Sequence, residues 1–187
     1  MAYEILHFRG SDKILTEKNM DDDIQGTFEY ISESLNGTLH KGELLRQALD
    51  DMGWRSGDNG YLKIFENRRY TYKGFKKDVA IEGSFSFYEF ILEGLFRLQI
   101  GYDKGLIETG ILLLNSRRSE KSPYGSTSKM VKEEIDMLEP TISMPVSIGL
   151  FDLGEPMILQ LKGGEQNGVP VSEDDQGSFD RTDSVSW

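Results

Sequence analysis

Apolar positions along the chain fall into two rhythms, one helical and one alternating, separated by glycine-rich and charged punctuation. Ile24, Phe28, Ile31 and Leu35 share one helical face. Asp21-Asp22-Asp23 ahead of them suits the positive end of a helix dipole, so a helix is predicted from there to about Leu35, ended by Asn36-Gly37. Leu44, Leu45, Ala48, Leu49 and Met52 predict a second helix over Glu43 to Met52, stopped by Gly53 and followed by Trp54. The most apolar helix is predicted over Phe87 to Ile100. Phe87, Phe90, Ile91, Gly94, Leu95 and Leu98 form its main face, Tyr88, Leu92 and Phe96 a second flank, and Gly101 its close. A shorter helix is expected over Lys129 to Leu138.

The alternating segments read as strands: Tyr3 to Phe8 at an edge, then Leu62–Phe65, Arg69–Phe75 and Val79–Phe85, with Lys73-Gly74 or Lys76-Lys77 near the turns. Leu106 to Leu114 has the length and β-branched content of a buried strand, and Val146 to Leu153 reads as another. Helices around a mixed sheet make the chain α/β or α+β. In the third of the central strands Val79 and Ile81 alternate with Ala80 and Glu82, which puts a carboxylate on one face. A strand acid is costly unless it is paired, solvated or metal-bound, and a solvated strand end is the plain alternative to a site.

Composition narrows the classes. The 187 residues suit one domain with a tail: 1–162 form the expected domain, and 163–187 an acidic tail whose composition is that of disorder. With no cysteine, disulfide scaffolds and thiolate zinc sites are excluded, which fits a reducing cytoplasm. No signal peptide is legible at Met-Ala-Tyr-Glu-Ile, and no apolar run is long enough for a membrane span.

The net charge of −11 argues against an unspecialised polyanion binder, because such affinity comes from phosphate neutralisation. The charge is uneven, however. Leu62 to Lys77 carries six bases against Glu66, and Asn115 to Lys132 carries five against Glu120. These islands are either solvated loops or binding faces.

Phosphate loops, dinucleotide fingerprints and zinc-ligand spacings are all missing. His7 and His40 have no context that makes either a base. Gly125–Ser128 has the composition of an ordinary loop. The aromatic run Phe85, Phe87, Tyr88 and Phe90 leads into an apolar helix and is expected in the core rather than under stacked bases.

Chain order carries more information than any of these. An acid-bearing hairpin is followed by a long apolar helix, the strand through Leu106–Leu114, a basic loop, and Met144-Pro145-Val146-Ser147-Ile148-Gly149-Leu150-Phe151. From about Tyr3 to Leu153 this resembles the type II restriction endonucleases of the BglII and BstYI kind. Asp78-Val79-Ala80-Ile81-Glu82 is similar to that family's basic–aliphatic–Ala–Val–Glu strand. The resemblance implies an α/β restriction-endonuclease-like fold with a central mixed sheet flanked by helices. It also implies a homodimer that cuts double-stranded DNA with Mg²⁺.

The family's metal site takes an Asp, a Glu nine residues later and a Gln two beyond. Carboxylates hold a hard cation, which polarises the phosphate and acidifies a water. Carried over, the Glu falls on Glu82, the Asp position on Lys73 and the Gln position on Ser84. The resemblance therefore places catalytic-site positions at Glu82, Lys73 and Ser84, with Glu82 as the remaining metal ligand. A Lys73–Glu82 ion pair is expected where the metal would sit.

Three functions compete. The first is a catalytically degenerate relative that binds DNA or a partner protein in a restriction or phage-defence setting, with no cofactor. The second is an active Mg²⁺-dependent endonuclease whose metal site has been rebuilt with Glu43, Glu66 or Glu108. The third is an assembly subunit that never meets nucleic acid. The altered triad, the acidic charge and the acidic tail favour the first. If DNA is bound, Arg117, Arg118, Lys121 and Lys129 are the expected phosphate contacts, and no membrane partner is expected.

Overall fold

The computed structural model describes residues 3–55, 62–85, 90–116 and 128–154. Its sheet is made of β1 (Tyr3–Phe8), β2 (Gly74–Lys76), β3 (Val79–Ser84), β4 (Thr109–Asn115) and β5 (Val146–Phe151). These lie side by side as β1-β5-β4-β3-β2. The three central strands are parallel: Val79 pairs with Thr109, and Gly110 with Val146. The two edges are antiparallel, which makes the sheet mixed. Central parallel strands are covered on both faces, so β3, β4 and β5 are buried almost end to end. A strand acid at Glu82 is consequently interior, not a solvated end.

Helices α1 (Ser11–Glu17), α2 (Asp21–Leu35) and α3 (Lys41–Asp51) pack on one face of the sheet. There Phe28, Ile31, Leu45 and Leu49 meet Val79, Ile81, Ile111, Leu113 and Phe151. Helices α4 (Phe90–Asp103) and α5 (Ser128–Met137) cover the other face. Ile91, Leu95, Leu98, Val131 and Ile135 there meet Ala80, Leu112, Leu114, Ile148 and Leu150. Alternation along β3 thus assigns Ala80 and Glu82 to the α4 side. The result is α/β, a mixed sheet between two helical layers.

Several expected boundaries move. Helix α1 is additional; its few apolar positions, Ile14 and Leu15, gave no long period. The strands expected at Leu62–Phe65 and Arg69–Phe75 reduce to a single bridge, Lys63 to Thr71, and to β2, because the charged run between them forms a turn instead of a ladder. The β2–β3 turn is Lys77-Asp78, both with positive φ, the two-residue form that matches hairpin twist. Helix α4 continues through Gly101 to Asp103 and is closed by Gly105 at φ 66°. Gly101 is there for another reason: the Tyr72 hydroxyl occupies the space a Cβ would need.

The hairpin that carries Glu82 is held from below. Trp54 is fully buried, its indole N–H donates to Thr27 Oγ1 at 2.8 Å, and its carbonyl accepts from Phe75 N at 2.7 Å. The chain after α3 is therefore fixed to both α2 and β2.

Candidate functional site

Near the C-terminal end of β3, Glu82 opens from the sheet onto a cavity of about 330 Å³. Its walls come from three directions. Gly42 and Arg46 lie on α3, with Arg55 just beyond it; Thr71, Tyr72 and Lys73 precede β2; Phe90, Glu93 and Arg97 lie on α4. Glu82 is only 1% exposed. Burial raises its carboxyl, and the nearby charges of Arg97 and Lys73 and the Arg97 hydrogen bond pull it back; the balance stands at about 7.

Arg97 is the side chain that answers this acid. Its Nε donates to Glu82 Oε1 at 2.9 Å, and its Nη2 lies 2.9 Å from the same oxygen. Nη2 also donates to the Thr71 carbonyl at 2.6 Å, while Nη1 reaches Glu93 at 3.7 Å. One planar guanidinium therefore joins β3, α4 and the segment before β2, the multi-donor role that suits arginine better than lysine. Tyr72 donates its hydroxyl to the Arg97 carbonyl at 3.0 Å. Burial and the Glu82 charge both push that phenol above its ordinary range.

The register Gly74 to Ile81 continues to set Lys73 across from Glu82, and Lys73 N donates to the Ile81 carbonyl at 3.0 Å. The lysine nonetheless stays exposed and acts on Glu82 through its field; the ion pair expected from it is made by Arg97 instead. The reason is depth. Arg97 projects from the helix packed over Glu82, whereas Lys73 sits on the open edge of the sheet. Its signal in the sequence was a single cation inside the most apolar helix, Phe90–Asp103. Ser84 lies two residues on from Glu82, on the same face and half-buried.

Lys129 lies on α5, 84% exposed, with Glu133 at 3.7 Å. Arg117, Arg118 and Lys121 lie outside the described residues, as does the boundary between the expected domain and its tail. His40 caps α3 without a side-chain bond, and His7 bonds Ser147 at 2.9 Å. Phe85 and Phe90 are buried, as core aromatics should be.

Solved structures similar to this chain include two of BglII. One is the crystal structure of restriction endonuclease BglII complexed with a DNA 16-mer, at TM-score 0.57 and 14% identity, covering 83% of this chain and 77% of that one. The other is free BglII, at TM-score 0.50 and 16% identity, covering 81% and 79%. Among curated proteins no match is found. The family model for restriction endonuclease BglII/BglIII matches residues 3–150. The chain belongs to the BglII/BglIII family.

Membership in the BglII/BglIII family raises Mg²⁺ as the implied group, and the residues around Glu82 do not fit it. A hard divalent cation is held by several oxygens, carboxylates foremost. Here the buried carboxylate already bonds Arg97, and Lys73, Arg46 and Arg55 add further positive charge to the same cavity. Among the described residues no group of three acids or histidines could hold a metal. Of the acids that might rebuild the site, Glu108 is bound to Lys18, Glu66 lines a different concavity, and Glu43 does not line this one. Among the described residues, no helix is long and apolar enough to cross a membrane.

Proposed function

We propose that this member of the BglII/BglIII family is a catalytically degenerate, restriction-endonuclease-like protein that acts by binding. Its target is double-stranded DNA, and its setting is a restriction or phage-defence system of the cytoplasm. The observation that carries the reading is the Arg97–Glu82 pair: a guanidinium bonds one oxygen of the carboxylate that a metal would need and sets its positive charge beside it. A protein built this way keeps the family's scaffold and lacks the means to activate a water beside phosphate. Arg117, Arg118, Lys121 and Lys129 are the phosphate contacts, and a dimer or a partner protein supplies the second half of the binding surface.

The test is incubation of mixed-sequence duplex DNA with the full chain in Mg²⁺ and, separately, Mn²⁺, alongside a binding titration. Binding without fragments is the expected outcome. Discrete fragments that disappear in Glu82→Ala would establish an active endonuclease and overturn the proposal. Failure to bind duplex at low salt would leave the assembly-subunit reading in its place. Removing Arg117 and Arg118 together should lower the salt dependence of log K by about two phosphate contacts.

A further inference from the structure

The first part of the basic island, Lys63 to Tyr70, lies outside the Glu82 cavity. Between Leu62 and Tyr72 the chain makes a narrow excursion. Ile64 N donates to the Tyr70 carbonyl at 2.9 Å, Tyr72 N to the Leu62 carbonyl at 3.2 Å, and Arg68 N to the Phe65 carbonyl at 3.2 Å. Ile64 is buried beneath it as an anchor. Lys104, just past α4, donates to the Ile64 carbonyl at 3.1 Å and places its ammonium 4.3 Å from the centre of the Phe65 ring.

This frame holds two aromatic rings at the surface. Phe65 and Tyr70 meet edge to face, centroids 6.1 Å apart, and are 37% and 55% exposed. Beside them opens a concavity of about 680 Å³, lined by Lys63, Arg68 and Lys104 as well as Glu66. Among the described residues none of the three cations has a carboxylate within ion-pair reach. Burial would normally hide such rings, and solvated lysines do not need them.

We infer that this surface is a binding site for single-stranded nucleic acid, in which an unpaired base stacks on the exposed face of Tyr70, with Phe65 set edge to face beside it as a support, while Lys63, Arg68 and Lys104 neutralise the flanking phosphates. Aromatic platforms among cations suit unpaired bases, since every base offers a ring face whatever its sequence. A peptide partner would leave the three cations unanswered unless it were acidic. The site uses none of the residues around Glu82, so it stands whether or not the duplex reading does.

The experiment is fluorescence anisotropy of the full chain with a short fluorescein-labelled mixed-sequence oligodeoxynucleotide, single-stranded and as the duplex. Tyr70→Ala should weaken single-strand binding about tenfold, and Tyr70→Phe should preserve it. Arg68→Ala should lower the salt slope by about 0.7, one phosphate contact on a single strand. Far-UV circular dichroism confirms folding, which the exposure of Tyr70 favours. Single-strand binding indifferent to Tyr70→Ala would overturn the proposal. So would its absence at low salt, or equal loss of duplex and single-strand binding in that variant.

Discussion

The parallel pair β3 and β4 has a charged cluster near each end, and the two are built on opposite principles. At the start of the strands Lys18 bridges Asp78 at 3.5 Å and Glu108 at 3.0 Å, two exposed acids sharing one half-buried cation at the surface. Burial lowers that ammonium's affinity for its proton, but the bonds and charges of Glu108 and Asp78 outweigh it and raise it. Near the far end a single acid is enclosed and several cations surround it. The exposed cluster has the carboxylates but sits in water around a lysine. The buried one has the enclosure but only one interior carboxylate. Metal chemistry needs both together, and neither end combines them.

The energetic weights differ as sharply. Removing one partner of a buried pair strands a charge, whereas exposed pairs are screened and worth little. Arg97→Ala should therefore be the severest test: well above pH 7, where Glu82 is ionised in the parent protein, a loss of about 3–5 kcal/mol in denaturant unfolding, shrinking at lower pH where Glu82 takes up a proton, with the freed Thr71 carbonyl adding to it. A loss below about 1 kcal/mol would mean that Glu82 finds water or another cation, and the contrast between the ends would collapse.

The next test uses pH. Glu82 holds its proton more tightly folded, at about 7, than its ordinary 4.5. Between these values the native state binds more protons than the unfolded one, so this group's contribution to stability is fully present below 4.5 and falls as pH rises through 7. The total is about 3 kcal/mol. Glu82→Gln should flatten that decline in melts taken across the same window. An unchanged slope would assign the titration to other groups.

The smallest effect belongs to the exposed end. Lys18→Ala should cost about 0.5–1 kcal/mol and less in high salt. A salt-independent loss would mean that the side chain acts by packing, not charge.

How much of this was legible beforehand depends on the kind of signal. Helices α2, α4 and α5 announced themselves by periodicity and by their punctuation. The mixed sheet came through chain order and resemblance, and alternation along β3 set Val79 and Ile81 opposite Ala80 and Glu82, as found; what alternation left open was whether the acid's face met water or a helix. Glu82, Lys73 and Ser84 are gathered at the end of one hairpin, but Arg97 was invisible because nothing local to the hairpin specifies which helix residue will lie above it. Fifteen positions of sequence separate Arg97 from Glu82, and only the packing of α4 over the sheet brings them together. The charged run Glu66 to Arg69 misled for a simpler reason, as its flanking apolar residues mimic strands while the run itself prefers a turn.

The four-way grip of Arg97 also bears on history. Exchanging this cavity for a two-carboxylate one takes at least an acid at position 73 and the departure of the guanidinium. If Arg97 leaves first, Glu82 is stranded and the Thr71 carbonyl loses its donor. If Lys73 becomes acidic first, it joins Glu82 and Glu93 around a cation already shared between them. Each order passes through a protein less sound than either endpoint, so the present arrangement acts as a latch: leaving it takes coordinated change, and single substitutions are penalised.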